Sequence, residues 1–288
     1  MQYHVDGELV AAEAATVSVR DRGFAYGDAA FETLRAYGGS IFEWDAHADR
    51  LERTCRTLGF AEAIPPRADL QERIDATLSA NDCADAYVKL SITRGVGTPG
   101  LTPDAAVDPT VVVQVRPLPR GGVDGTDVFD GPATVAVVDR QRPPAAALPA
   151  DVKTHNYLHG ILARLEGRRG QEADETLLVD GAGHLTEGAT SNLFVVADGA
   201  VHTPATDLPI LPGVTRATVL DLARAEGLPV EEGRYRPELF RAADEAFLTN
   251  TTWEIRPIDA VDGEPIGGGP VTDLLARLYD RRVERTCY

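Results

Sequence analysis

Lysine is almost missing from this chain. Of the 28 lysines and arginines in 288 residues, only Lys89 and Lys153 are lysines. The three cysteines are odd in number and lack CxxC spacing, which argues against a disulfide framework and a cysteine-based zinc site. No apolar run approaches the roughly 20 residues of a membrane span, and the opening MQYHVDGELV has neither the basic nor the apolar part of a signal peptide. Positive charge is scarce overall: 45 acidic residues against 28 basic ones leave a net charge of −17. Such a surface repels nucleic acid and anionic membranes alike. The expectation is a cytoplasmic protein, and the acid excess suits a salt-rich cytoplasm in which screening weakens self-repulsion.

What is present is an ordinary globular composition, 43% hydrophobic, long enough for one large or two medium domains. WDAHADRLERTCRTLGF predicts a helix with Asp45 as N-cap and Leu51, Cys55 and Leu58 on one face. A second helix is expected over 67–80, with Leu70, Ile74 and Leu78 aligned. AYVKLSITR alternates as a strand, placing Val88, Leu90 and Ile92 on one face and Tyr87, Lys89, Ser91 and Thr93 on the other. After the strand TVVVQVRPL, a stretch rich in Gly, Pro and Asp marks a linker over 118–131, between a smaller N-terminal domain (1–117) and a larger C-terminal one (132–288). The second half predicts a strand in ATVAVVD, a helix over 155–170, and a hairpin-like pair in ETLLVD and SNLFVV. A helix near 214–226, a strand in EAFLTN and a C-terminal helix from about 270 complete it. The interleaving implies two α/β domains with mixed sheets.

Two motifs carry less than they promise, and a third is absent. GVGTPG at 95–100 matches the dinucleotide fingerprint, but Pro99 and the non-helical LTPDAAVDPT after it remove the helix N-terminus that the fingerprint requires. His155 and His159 stand four apart on the expected helix, yet no third clustered ligand follows, so no metal site is predicted. No GxSxG elbow supports a hydrolase.

Lys153, in DVKTHNYLHG, is different. Lysine, unlike arginine, can shed its proton and act as a nucleophilic amine, the property needed for a Schiff base with a carbonyl cofactor. Pyridoxal phosphate also needs an anion site for its phosphate and an acid for its ring nitrogen. Both are available. The helix that opens after Pro212-Gly213 offers the amides of Val214 and Thr215 and the Thr215 hydroxyl, and Arg50 can add a fixed positive charge. Glu187, ahead of an apolar strand, can serve the ring nitrogen.

The blocks DRGFAYGDAAFETLR, HADRL, TRG, KTHNYL, LTEGATSNLF, ILPGVTR and FLTNTTWEIRPI, in this order from about Tyr3 to Pro257, resemble the class IV aminotransferases, the fold-type IV pyridoxal-phosphate enzymes. The resemblance implies a D-amino acid aminotransferase-like fold of two α/β domains with the active site between them, and a homodimer whose partner lends a loop. It implies that Lys153 forms the Schiff base and is the catalytic base, and that Glu187 contacts the pyridine nitrogen. Arg50, the Val214 and Thr215 amides and Thr251 are implied as phosphate ligands, and Tyr157 as a neighbour of the ring oxygen. Lys89 and Tyr87 fall where branched-chain members position their substrate, and Thr33 and Thr252 are implied beside it.

Three reactions share such a scaffold: branched-chain L-amino acid transamination, D-amino acid transamination, and lysis of 4-amino-4-deoxychorismate to 4-aminobenzoate and pyruvate, a step toward folate. FETLR has Thr33 where the branched-chain pattern has glycine, KTHNYL is short, and Asn250-Thr251-Thr252 replaces Gly-Thr-Ala. These features resemble the lyase, while Glu254 in TTWEIRP resembles the transaminases. The lyase is the first expectation and a transaminase the second. A catalytically retired member acting as a binding protein is disfavoured by the retained Lys153, Glu187, Arg50 and Thr215.

Overall fold

The computed structural model describes residues 1–122, 125–126, 128–170 and 172–288. Its chain divides into two compact units: Met1–Arg120 with Val152–Asn156 and Thr286–Tyr288, and Gly121–Asp151 with Tyr157–Arg285. The short segment carrying Lys153 therefore packs with the first unit, although its sequence position lies within the 132–288 range expected for the second. Residues 123, 124 and 127 of the linker expected over 118–131 lie outside the described residues.

The first unit contains β1 (Gln2–Val5), β2 (Glu8–Ala11), α1 (Arg22–Tyr26), β3 (Ala29–Tyr37), β4 (Ser40–Ile41), α2 (Trp44–Leu58), α3 (Arg67–Ala80), β5 (Ala86–Thr93) and β6 (Val111–Pro117). Its six strands run in the order β2-β1-β6-β5-β3-β4, and every neighbouring pair is antiparallel. The mixed sheet expected here is absent because no strand–helix–strand crossover places parallel strands side by side. Alternation along β5 works as the sequence predicts: Val88, Leu90 and Ile92 are fully buried in a core with Leu34, Leu51, Leu70 and Ile74. That core lies beneath α2 and α3. Asp45 sits in the first turn of α2, where its charge favours the helix dipole; Glu43 occupies the cap itself.

The second unit adds β7 (Ala133–Gln141), α4 (Leu158–Gly170), β8 (Glu175–Val179), β9 (Leu185–Gly188), β10 (Asn192–Ala197), β11 (Ala200–Pro204), α5 (Val214–Ala225), β12 (Val230–Gly233), α6 (Pro237–Arg241), β13 (Glu245–Asn250), β14 (Glu254–Val261), β15 (Glu264–Pro265) and α7 (Pro270–Cys287). Its sheet is mixed, in the order β12-β11-β10-β13-β14-β7-β8-β9, with β15 on β14. β7 runs parallel to both β8 and β14. ETLLVD and SNLFVV do not pair with each other: β8 joins β7 and β9, whereas β10 joins β11 and β13. Stacked Phe194 and Phe247, 4.9 Å apart, bridge β10 and β13 instead. Among the described residues no helix is long and apolar enough to cross a membrane.

Helix α4 begins at Leu158, so His155 is not helical. Its amide donates to Ala29 O, and Thr154 bridges Ala30, which holds residues 153–155 extended. GVGTPG is a loop, and no helix follows it before β6. Gly95 has φ +83°, and a Cβ there would lie 1.8 Å from Asp108 O. The glycine thus serves a close backbone approach within the loop. Gly95→Ala is expected to lower stability by about 2 kcal/mol or more, read from the denaturant midpoint.

Candidate active site

In the first unit, Lys153 is placed by backbone bonds. Phe31 N donates to Lys153 O (3.0 Å), and Lys153 N donates to the Thr54 hydroxyl on α2 (3.1 Å). Its Nζ lies 4.6 Å from the centre of the Phe31 ring, and Lys89 Nζ lies 5.1 Å from the same centre. The chain's two lysines thus converge on one aromatic ring. Cross-strand register explains the pairing: Lys89 faces Thr33 and Ser91 faces Phe31, so these side chains and Tyr87 share the half-buried face of β3 and β5. Burial, then the positive charge of Lys153, push the Lys89 ammonium below its ordinary range. His155 packs edge-on to Phe31, with Nε2 3.3 Å from Ser91 Oγ. Burial, and then the charge of Lys89, bring its pKa down to about 4, so it is a neutral imidazole.

The opposite face of β3 carries Glu32, fully buried against α2. Arg50 donates from Nε and Nη2 to its two oxygens (2.8 and 2.7 Å), and His47 Nδ1 donates to Oε2 (2.8 Å). Burial pushes the Glu32 carboxyl up, but the Arg50 charge and the donated hydrogen bonds outweigh it and hold the pKa at about 2. Burial outweighs the carboxylate at His47 and lowers its pKa, which makes it a neutral donor. Arg50 is therefore oriented by a bidentate pair that sequence reasoning missed.

In the second unit, one turn gathers several of the predicted residues. Leu211 N donates to Glu187 Oε2 (2.8 Å), while Leu211 O accepts from Asn192 Nδ2 (2.9 Å). A Cβ on Gly213 would fall 2.1 Å from Asn192 Oδ1, so glycine lets this turn close on β10. Val214 and Thr215 then open α5, whose N-cap makes no side-chain hydrogen bond. Their amides precede the first intrahelical bond, from Ala217 N to Gly213 O, and are free of helical partners by geometry. Asn192 pairs with Thr249 in the sheet, which brings the turn after β13 to the same end. There Asn250 Oδ1 accepts from the amides of Thr252 and Trp253 (3.0 and 2.7 Å), shaping the turn that presents Thr251 and Thr252. Amides at a helix start with threonine hydroxyls nearby suit a phosphate group. Glu187 is buried, with Oε1 2.7 Å from Arg142 Nε. Tyr157 lies two residues from His159, their rings 5.8 Å apart.

The chain matches the model of the amino-transferase class IV family over residues 29–261. It is 36% identical to a putative branched-chain-amino-acid aminotransferase of Methanocaldococcus jannaschii, over 98% of this chain and 95% of that protein. It is 30% identical to the aminodeoxychorismate lyase of Bacillus subtilis, over 98% and 94%. The solved branched-chain aminotransferase of Thermoproteus uzoniensis with norvaline superposes with a TM-score of 0.87 at 30% identity, covering 98% of this chain and 94% of that one. Another solved branched-chain amino acid aminotransferase, which holds pyridoxamine 5'-phosphate, superposes equally well. The chain belongs to the class IV aminotransferases and has their two-domain α/β fold. It is a pyridoxal-phosphate-dependent enzyme, as the family expectation held.

Arg142, Glu32, His47 and Asn192 escaped residue-by-residue reading. Glu32, His47 and Asn192 each had a signal, their places in the FETLR, HADRL and TSNLF blocks, whereas Arg142 lies in none of them. Because the folded Glu32 carboxyl titrates near 2 against an ordinary 4.5, its contribution to stability is complete above about pH 4.5 and is lost as pH falls toward 2. Glu32→Gln is expected to flatten that part of the pH–stability curve. At neutral pH it should cost about 3–5 kcal/mol, by leaving Arg50 buried without its carboxylate.

Proposed function

We propose that this chain is a 4-amino-4-deoxychorismate lyase, acting as a homodimer. The observation carrying this is the Lys89 ammonium on a half-buried face shared with Thr33, Tyr87 and Ser91. A branched aliphatic side chain gains nothing beside a cation and hydroxyls, whereas a substrate rich in carboxylates does. Lys89 would anchor one such carboxylate, with Thr33, Tyr87 and Thr252 around it. The phosphate would be held by Arg50, the Val214 and Thr215 amides, the Thr215 hydroxyl and Thr251, with Tyr157 at the ring oxygen and Glu187 at the ring nitrogen. When bound, pyridoxal phosphate withdraws electrons from the carbon bearing the substrate's amine. Lys153 Nζ would take the proton from that carbon; the ring C–O bond then breaks, the departing enolpyruvate takes up one proton to become pyruvate, restoring the proton balance, and the ring becomes 4-aminobenzoate. A second copy is supported by α4, where Leu158, Ile161, Leu162 and Leu165 form an exposed apolar stripe at helical spacing.

The identity to the branched-chain relative favours a transaminase as the second reading. Holoenzyme in high-salt buffer, mixed separately with L-leucine, L-glutamate and D-alanine and no keto acid, separates the two. The lyase is expected to keep its cofactor absorbance with all three and to release 4-aminobenzoate from aminodeoxychorismate. Rapid bleaching by one amino acid, without 4-aminobenzoate formation, makes it a transaminase. Lys153→Ala is expected to abolish the lysine-linked cofactor band and turnover while the protein stays folded. Lys89→Met is expected to raise KM for the carboxylate-bearing substrate by about tenfold or more, the loss of one charge-assisted hydrogen bond.

A further inference from the structure

Two side chains beside the proposed cofactor contacts have no role so far. Arg142 follows β7, its backbone pinned by donation to Val179 O (2.9 Å), and its side chain is 9% exposed. Nε stands 2.7 Å from Glu187 Oε1, close enough for an ion pair but off the line of a hydrogen bond. Nη1 contacts Nε2 of His159 on α4. The His159 ring, in turn, lies against Tyr157, 5.8 Å between centres and tilted by 33°. A continuous chain therefore runs Glu187–Arg142–His159–Tyr157, entirely within the second unit.

The chemistry of each link gives the chain a direction. A guanidinium has donors only, so His159 Nε2 must be its acceptor, which makes His159 the neutral tautomer with its proton on Nδ1. The same guanidinium faces Glu187, whose second oxygen is already held by Leu211 N. A permanent positive charge behind a buried carboxylate favours its ionised form and fixes its plane. We infer that Arg142 and His159 are positioning residues that lock the two proposed ring contacts, Glu187 and Tyr157, into one rigid unit. The inference rests on the reading that Glu187 serves the ring nitrogen and Tyr157 the ring oxygen. Arg142 keeps Glu187 an ionised acceptor, so that the shared proton stays on the ring nitrogen. His159 transmits the same constraint to the tyrosine.

The test uses holoenzyme for the position of the cofactor's visible band and its apoenzyme for cofactor affinity, measured by quenching of tryptophan fluorescence. Arg142→Met is expected to move the band to shorter wavelength and to weaken cofactor binding about tenfold, with Arg142→Lys recovering part of both. His159→Ala is expected to move the band in the same direction by less, and His159→Gln, whose amide oxygen can accept from Arg142, to restore it. If Arg142→Met does not fold, the two His159 variants, at a half-buried position, carry the test alone. Glu187→Gln and Tyr157→Phe serve as controls for the underlying reading. Bands that move in these controls but in neither Arg142 nor His159 variants overturn the positioning role. Bands unmoved in the controls overturn the ring-contact reading, and the inference with it.

Discussion

The site depends on a short antiparallel contact between chain segments more than 100 residues apart. Residues 153–155 lie along the start of β3, joined by Phe31 N to Lys153 O, His155 N to Ala29 O and the Ala30–Thr154 bridge. Backbone pairing of this kind sets side-chain direction with the two-residue period of a strand. A slip of one residue would turn Lys153 away from Phe31 and bring Thr154 in its place. The Thr54 hydroxyl, accepting from Lys153 N, adds a helix to the same constraint. Precision at the lysine amine is thus a property of main-chain hydrogen bonds, which are less adaptable than side-chain packing.

Buried charge is handled alike in both units: several buried carboxylates are met by arginine or by backbone donors. Glu32 has Arg50 and His47; Glu187 has Arg142 and Leu211 N; Glu245 accepts from Val271 and Thr272 at the start of α7. Glu175, fully buried, takes Arg164 together with Thr190 and Ser191, fixing the turn between β9 and β10. Planar, permanently charged guanidinium suits such positions because it satisfies two oxygens at once. The predominance of arginine in the sequence has a structural use here.

Much of this architecture was legible because its signals are local. Leu70, Ile74 and Leu78 announce α3, and the alternation of AYVKLSITR announces β5 together with its polar face. Lys153, Glu187 and Thr215 stood out through residue chemistry joined to ordered motifs. What stayed hidden is long-range. Nothing around ETLLVD shows that its parallel neighbour is β7, and nothing around Arg142 shows that Glu187, 45 residues on, will meet it. The helix expected from residue 155 starts at 158 because pairing with β3 overrides local propensity, a tertiary effect that local periodicity cannot carry.

The convergence of both lysines on Phe31 also determines how the protein meets reagents. Amine-directed chemistry, whether acylation, reductive alkylation or enzymatic lysine modification, finds among the described side chains only two half-buried lysine amines that share one aromatic ring. In most proteins such chemistry spreads over dozens of surface sites and reports on solubility. Here covalent labelling of lysine amounts to titration of a single locale, and any bound molecule that shields Phe31 would be read directly as protection.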